Sequence, residues 1–307
     1  MIAVAARRRS DLPLTAVATA VFVWSFGPLI VRASSVSSLT FAFWRLTMAV
    51  PVMWTAAVLL GGRPTVALFR QALPAGLLFG TSMILGFLSY RGTSIANATL
   101  IPALTPAVIL VLAGRLFGER RSRRQLQLAG LAFVGVFVVV LGAGAGGTGR
   151  LRGDLFAVGN LAAWTTYFVM AKQIRNKNVH SWSLIATFFT IAAVVVAPVS
   201  VAFSHDLGAS HLKDFGLYLL MILVPGLVGH GLMTWAQRDV DISVSSVLTL
   251  ANAPLSMVGA WVLYDQALTA VQIVGVALVI GALALIAIDQ APSPATLAAA
   301  AVSADAT

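Results

Sequence analysis

Cysteine is absent from the 307 residues. That excludes a disulfide framework, a thiolate metal site and a cysteine nucleophile, and it leaves the redox compartment unread. Charge is scarce as well. Asp, Glu, Lys and Arg make up 10% of the chain, where a soluble domain carries about 25%. Only ten residues are acidic, against twenty Lys and Arg. Long polar stretches are missing, so a separate soluble domain has no room to fold. What remains is apolar: 59% of residues are hydrophobic, with a mean hydropathy of +0.93. The chain reads as an all-α integral membrane protein.

The chemistry of an intramembrane enzyme is missing too. There is no His-Glu-x-x-His, no Gly-x-Ser-x-Gly and no paired acid inside an apolar run, and each would be needed for a known class. The Gly-rich stretch 142–149 lacks a Lys-Ser/Thr partner and is no phosphate loop. No cofactor and no metal is expected. The net charge of +10 would suggest nucleic acid only if the cations made one basic face. They lie instead in short clusters between apolar runs, as topology signals do. No nucleic-acid partner is expected; membrane lipid is, and a homodimer stays open.

A spanning helix needs about 20 mostly apolar residues. Ten candidate spans follow one another: 12–31, 39–60, 73–90, 95–117, 126–142, 155–171, 182–203, 215–235, 244–264 and 271–288. Arg7, Arg8 and Arg9 precede the first. With so many spans behind it, that start reads as an anchored first helix rather than a cleaved signal peptide. Placing the N-terminus inside puts fourteen Lys and Arg in inner loops and five in outer ones, with Arg45 within a span. This bias predicts both ends in the cytoplasm of a cell inner (plasma) membrane protein. It leaves a cytoplasmic segment at 1–11 and a disordered tail rich in Ala, Pro and Ser at 289–307.

The chain also repeats itself, which decides the architecture. Two apolar runs with an Arg-rich joint cover 95–142, and a degraded copy returns at 242–286. Pro106 is echoed by Pro254, Glu119 by Asp265 and Gly130 by Gly275. Trp24 precedes Arg32 by eight positions, and Trp164 precedes Lys172 by eight. The halves are 12–142 and 155–288, joined by a Gly-rich linker at 143–154. Each holds five spans. Five is odd, so the second half enters the membrane inverted. Ten transmembrane helices as two inverted five-helix repeats are a mark of secondary transporters, whose substrate site lies near the midplane between the halves.

Several local patterns go with this doubling. Trp24-Ser25 is followed by the cation Arg32. Arg45 is followed by Ala49 in the second span. Pro106, a long apolar run and Gly118-Glu119-Arg120 close the fourth. Together they resemble the EamA-type ten-helix members of the drug/metabolite transporter superfamily, over nearly all of 12–288. The second copy departs from the pattern, with Asp265-Gln266 in place of the Glu-cation end and no partner for Arg45. The resemblance implies a transporter that exports small metabolites, with amino acids and related compounds a common class. It places helices 1, 3, 4, 6, 8 and 9 around the cavity. A multidrug or cation exporter coupled to protons is the alternative, and a structural membrane protein a further one. Four-helix relatives that expel cations use an acid within the membrane, whereas every acidic residue here maps to a loop or helix end.

Candidate site residues are few, because a charge in the bilayer is costly and therefore suspected of function. Arg45, roughly 10 Å deep at about 1.5 Å per residue, reads as a bidentate anchor for a substrate carboxylate or as a structural cation. His230 lies among Pro225, Gly226, Gly229 and Gly231 and reads as a pocket hydrogen-bonder, a proton carrier or a buried neutral His. Trp24, Trp164 and Tyr167 sit too deep for an interfacial belt and read as cavity wall or helix packing. Trp44, Trp182, Trp235, Trp261, Tyr218 and Tyr264 read as belt. Asn97, Asn160 and Asn252, with Thr105 and Thr249, either bond across helices or line the cavity, and the resemblance sets Asn97 and Asn252 on the paired helices 4 and 9. Gly130, Gly135, Gly275 and Gly281 suit close helix approach.

Overall fold

The computed structural model describes residues 2–109, 123–142, 147–240, 245 and 248–290. Glu119, most of the Arg-rich joint, Asp241 and the tail beyond Gln290 lie outside them. Among the described residues every regular element is helical. α1 (Ile2–Trp24) and α2 (Gly27–Ala33) make the first span, followed by α3 (Ser38–Leu59) and α4 (Val66–Gly92). α5 (Ile95–Leu100) runs on into a 3-10 turn, Pro102–Leu104. α6 is Arg123–Gly142, α7 Gly147–Arg175 and α8 Ser181–Phe203. α9 (Leu212–Met221) passes through a π segment, Ile222–His230, into α10 (Gly231–Ala236). A second 3-10 turn, Thr249–Ala251, leads into α11 (Asn252–Tyr264), and α12 (Ala270–Gln290) closes the bundle.

Five of these runs are long and apolar enough to cross a membrane: Leu12–Ala33, Ser38–Leu59, Val66–Gly92, Ser181–Phe203 and Leu212–Ala236. Ile95–Ile109, Leu126–Val139 and Ala270–Ala282 are shorter apolar helices. Their starts are written locally. Ser37, Thr65 and Ser94 each accept a backbone N–H three residues on, as good N-caps do. Three starts differ clearly from the sequence reading, that of α4 being Val66 rather than residue 73. α1 reaches back to Ile2, and α7 is already helical at Gly147, within the stretch read as a linker. Glycine in a helix costs only about 1 kcal/mol against alanine, so a Gly-rich segment next to a long helix can continue it.

The packing repeats with the sequence. α4 lies along α7, and the first span lies along the π segment and α10. In span numbers, third meets sixth and first meets eighth. α3 packs on α8, α5 on α11, and α6 on α12, so second meets seventh, fourth meets ninth and fifth meets tenth. Exchanging the halves maps this set onto itself, as a pseudo-two-fold axis requires. Single residues obey the same exchange. Arg32, closing the first span, donates from Nη1 to the carbonyls of Tyr90 and Thr93 at 3.1 and 3.2 Å. Lys172, near the end of the sixth, donates to the carbonyls of Gln237 and Val240 beyond the eighth. Each cation caps the carbonyl end of a helix in its own half. The glycine echo needs correction: Gly130 and Gly281 meet nothing, whereas Gly135 and Gly275 meet reciprocally. A Cβ on Gly135 would lie 2.8 Å from Val279, and one on Gly275 2.6 Å from Val139.

Contacts between chain ends keep the alternation of ten crossings. Ser35 and Ser37, in the first connection, donate to Asp214 and Asp206 at the seventh. Thr93 in the third donates to Asp154 in the fifth, 2.7 Å away. The Ile95 N–H donates to Gln266 in the ninth. Gly62 in the second lies against His180 in the sixth. Odd connections meet odd, and even meet even.

Of the four buried apolar clusters among the described residues, two are the largest. One gathers Phe41, Leu46, Phe79, Phe188, Phe189 and Tyr218 from α3, α4, α8 and α9. The other gathers Leu100, Leu104, Ala132, Val139, Met257 and Val279 from α5, α6, α11 and α12. Leu59, Phe137, Val194 and Trp261 point outward and are largely exposed, the face a lipid-embedded bundle presents. Tyr218, read as a belt residue, is fully buried instead and shares a 2.8 Å hydrogen bond with Ser210. Its ring packs edge-on against Phe41, which a hydroxyl satisfied at the helix end permits.

Candidate functional site

Four spans are interrupted, each for a local reason. The first breaks at Ser25-Phe26, where Pro28 starts a new helix and Ser25 Oγ turns back to the Phe22 carbonyl at 2.6 Å. The fourth tightens into a 3-10 turn at Pro102. The eighth widens into the π segment around Pro225, and the ninth has a 3-10 turn before Asn252. Proline removes a ladder donor and favours the breaks at Pro28, Pro102 and Pro225, although Pro51, Pro74 and Pro198 lie within continuous helices. Inside a membrane, irregular backbone is tolerated where it is buried in protein or lines a cavity. Here all four do the latter: Gly27, Pro102, Pro225 and Thr249 line one cavity of about 130 Å³. It draws its walls from both cores.

Six of the eight residues singled out in the sequence meet there: Trp24, Arg45, Asn160, Trp164, His230 and Asn252. Trp24 and Trp164, equivalent in the two halves, touch edge to face with centroids 5.6 Å apart. Trp24 is held by its indole N–H, which donates to the Pro225 carbonyl at 3.0 Å. Gly229 lets it approach, since a Cβ there would lie 2.5 Å from Trp24 Nε1. His230 sits in an aromatic cage, its ring 4.9 Å from Trp24, 5.3 Å from Phe79 and 5.5 Å from Phe189.

Arg45 is 1% exposed. Its guanidinium carbon stands 5.2 Å from the Phe189 ring centre and 5.6 Å from that of Phe87. Nη1 donates to the Met83 sulfur at 3.3 Å, and Nε has no hydrogen-bond partner. The cation is thus met by π faces and a thioether. Among the described residues no Asp or Glu lines the cavity.

Two expected residues stand elsewhere. Tyr167 packs behind Trp164 against Phe79 and Phe188, at 4.8 and 5.3 Å, and is not part of the lining. Asn97 is fully buried near the start of α5, donating to Asp154 at 3.0 Å. It faces the connection between the halves, where it bonds across helices. The sequence reading missed Phe87, Tyr90, Met83, Ser82 and Thr99, which also line the cavity. Phe87 and Tyr90 follow Met83 at helical spacing on α4, so its inward face was readable once α4 was known to border the cavity.

A family model, described as the EamA-like transporter family, matches residues 12–141 and again 151–288. The two matches coincide with the two halves. No curated protein matches the chain significantly. A solved structure described only as "Crystal structure of protein" is 20% identical, with a TM-score of 0.68, covering 90% of this chain and 97% of that one. At that identity the likeness shows a shared fold.

Proposed function

Because the chain belongs to the EamA-like transporter family, we propose that it is a secondary transporter working by alternating access. Its substrate is a small metabolite, an amino acid or a related compound, moved outward across the cell inner membrane. The observation that carries this reading is the convergence of four interrupted helices from both halves on one cavity between two packed cores. Such a cavity binds substrate near the midplane while one body rocks against the other. The Lys and Arg bias puts both termini in the cytoplasm. Proton-coupled export of cations would call for an acid in the cavity, and the lining has none.

Counterflow in proteoliposomes tests the proposal. Vesicles preloaded with an unlabelled amino acid or organic acid should transiently accumulate the labelled compound, and uptake should saturate. A flux that rises linearly with concentration, with no counterflow for any compound, would sink it.

A further inference from the structure

Arg45 carries a charge at every pH the cell meets, because a guanidinium is not deprotonated in proteins. Taking such a charge out of water is costly unless it finds a counter-charge and hydrogen bonds. Among the described residues it finds no counter-charge and only a weak hydrogen bond to sulfur. Its Nε is buried without a partner, one Nη reaches a thioether, and the described residues of the lining include no carboxylate. The cavity therefore has a fixed cation, aimed at it and short of an anion. The rest of the lining is neutral. Asn160 and Asn252 supply amides, and Trp24 and Trp164 supply an apolar wall.

We propose that the ligand of this cavity is a small monoanionic organic acid: one carboxylate on an apolar body, without a protonated amine. Arg45 takes the carboxylate, for which its planar fork is matched. The tryptophans take the body. An ammonium group would lack an acid to pair with and would face a like charge in a medium of low dielectric. A second carboxylate, or a phosphate monoester with more than one charge, would find no second Lys or Arg in the lining. The ligand class is thus narrower than amino acids and excludes their zwitterionic form. This inference rests on the cavity being the substrate site of the transporter proposed above.

The test uses the purified full chain and a matched series with one body: 3-phenylpropanoate, phenylalanine, phenethylamine and phenylsuccinate. Binding is read by ligand-induced thermal stabilisation and transport by counterflow. 3-Phenylpropanoate should stabilise at about tenfold lower concentration than phenylalanine, a difference of about 1.4 kcal/mol. Phenethylamine and phenylsuccinate should do neither. Arg45→Lys keeps the charge, loses the fork and should weaken 3-phenylpropanoate about tenfold while leaving the apo melting point close to wild type. Arg45→Gln should abolish the preference. Equal or stronger stabilisation by phenylalanine or phenethylamine, or none by 3-phenylpropanoate, overturns the inference. Counterflow carried by phenylalanine alone would do the same while leaving the transporter reading intact. Stabilisation by 3-phenylpropanoate without any counterflow would uphold the site and defeat the transporter reading.

Discussion

Asp206 shows how much a single side chain contributes at the surface of this bundle. Partial burial pushes its carboxyl up. Hydrogen bonds from Thr40, from the Ser37 hydroxyl and N–H, and from Ser204 outweigh that and hold it at about 2, down from 3.8. Through them the connection after Phe203 is tied to the start of α3. Because the folded value is depressed, the stabilisation is fully present above the ordinary carboxylate range and is lost as pH falls from about 4 toward about 2. The group is largely solvated, so screening keeps the effect on the order of 1 kcal/mol. Asp206→Asn should lower the melting temperature at pH 7 by a few degrees and flatten its decline between pH 5 and pH 3. A variant as acid-sensitive as wild type would show that this cluster is not where acid acts. Arg45 is the opposite kind of residue. Its type and depth were legible in the sequence, but its surroundings were not. Phe87, Phe189 and Met83 come from two other helices, and only folding places them around it.

At the scale of elements, the crossing of α4 and α7 depends on two glycines. A Cβ on Gly153 would lie 2.2 Å from the carbonyl carbon of Gly92, and one on Gly92 would lie 2.9 Å from the Gly153 Cα. Backbone meets backbone, so no side chain can yield. The same approach brings Thr93 to Asp154 and Asn97 to Asp154. Gly153→Ala should force the helices apart and cost about 1–3 kcal/mol, seen as a melting point several degrees lower and a weakened Thr93–Asp154 link. Gly216→Ala, where a Cβ meets nothing, should change little. Equal behaviour of the two variants would mean the crossing is looser than the structure shows. The interrupted helices were readable in part. Pro225 stood out beside His230 in the sequence, and Pro28 and Pro102 carry the same local signal. That one proline would give a new helix start, another a 3-10 turn and the third a nine-residue π segment was decided by what each helix packs against.

For the whole molecule, the lack of cysteine is an experimental asset. Single cysteines at Asp206 and at Arg63 can be labelled in an otherwise silent background. The alternation of ten crossings, oriented by the Lys and Arg bias, predicts that a membrane-impermeant maleimide labels the first from outside intact cells. The second should label only after the membrane is opened. Labelling of both from the same side would break the odd number of crossings per half, and with it the inversion. The reciprocal contacts of Gly135 and Gly275 and the paired roles of Arg32 and Lys172 rest on that inversion.

Sequence alone determined the solvent, the number of crossings and the doubling. These follow from hydropathy along the chain, from the placement of Lys and Arg, and from an echo displaced by about half its length. Each is a one-dimensional quantity that a bilayer converts directly into structure. It also picked out six cavity residues, because polar or charged groups inside apolar runs are rare enough to name one by one. Tertiary structure alone decided which of them share a space. Asn97 and Asn252 belong to paired helices, yet one is spent on Asp154 and the other lines the cavity. Tyr167 lies three residues beyond Trp164, almost one helical turn, and still falls behind it. The direction a helix face takes is set by its neighbours' packing, and small rotations decide whether a side chain meets a cavity or a core.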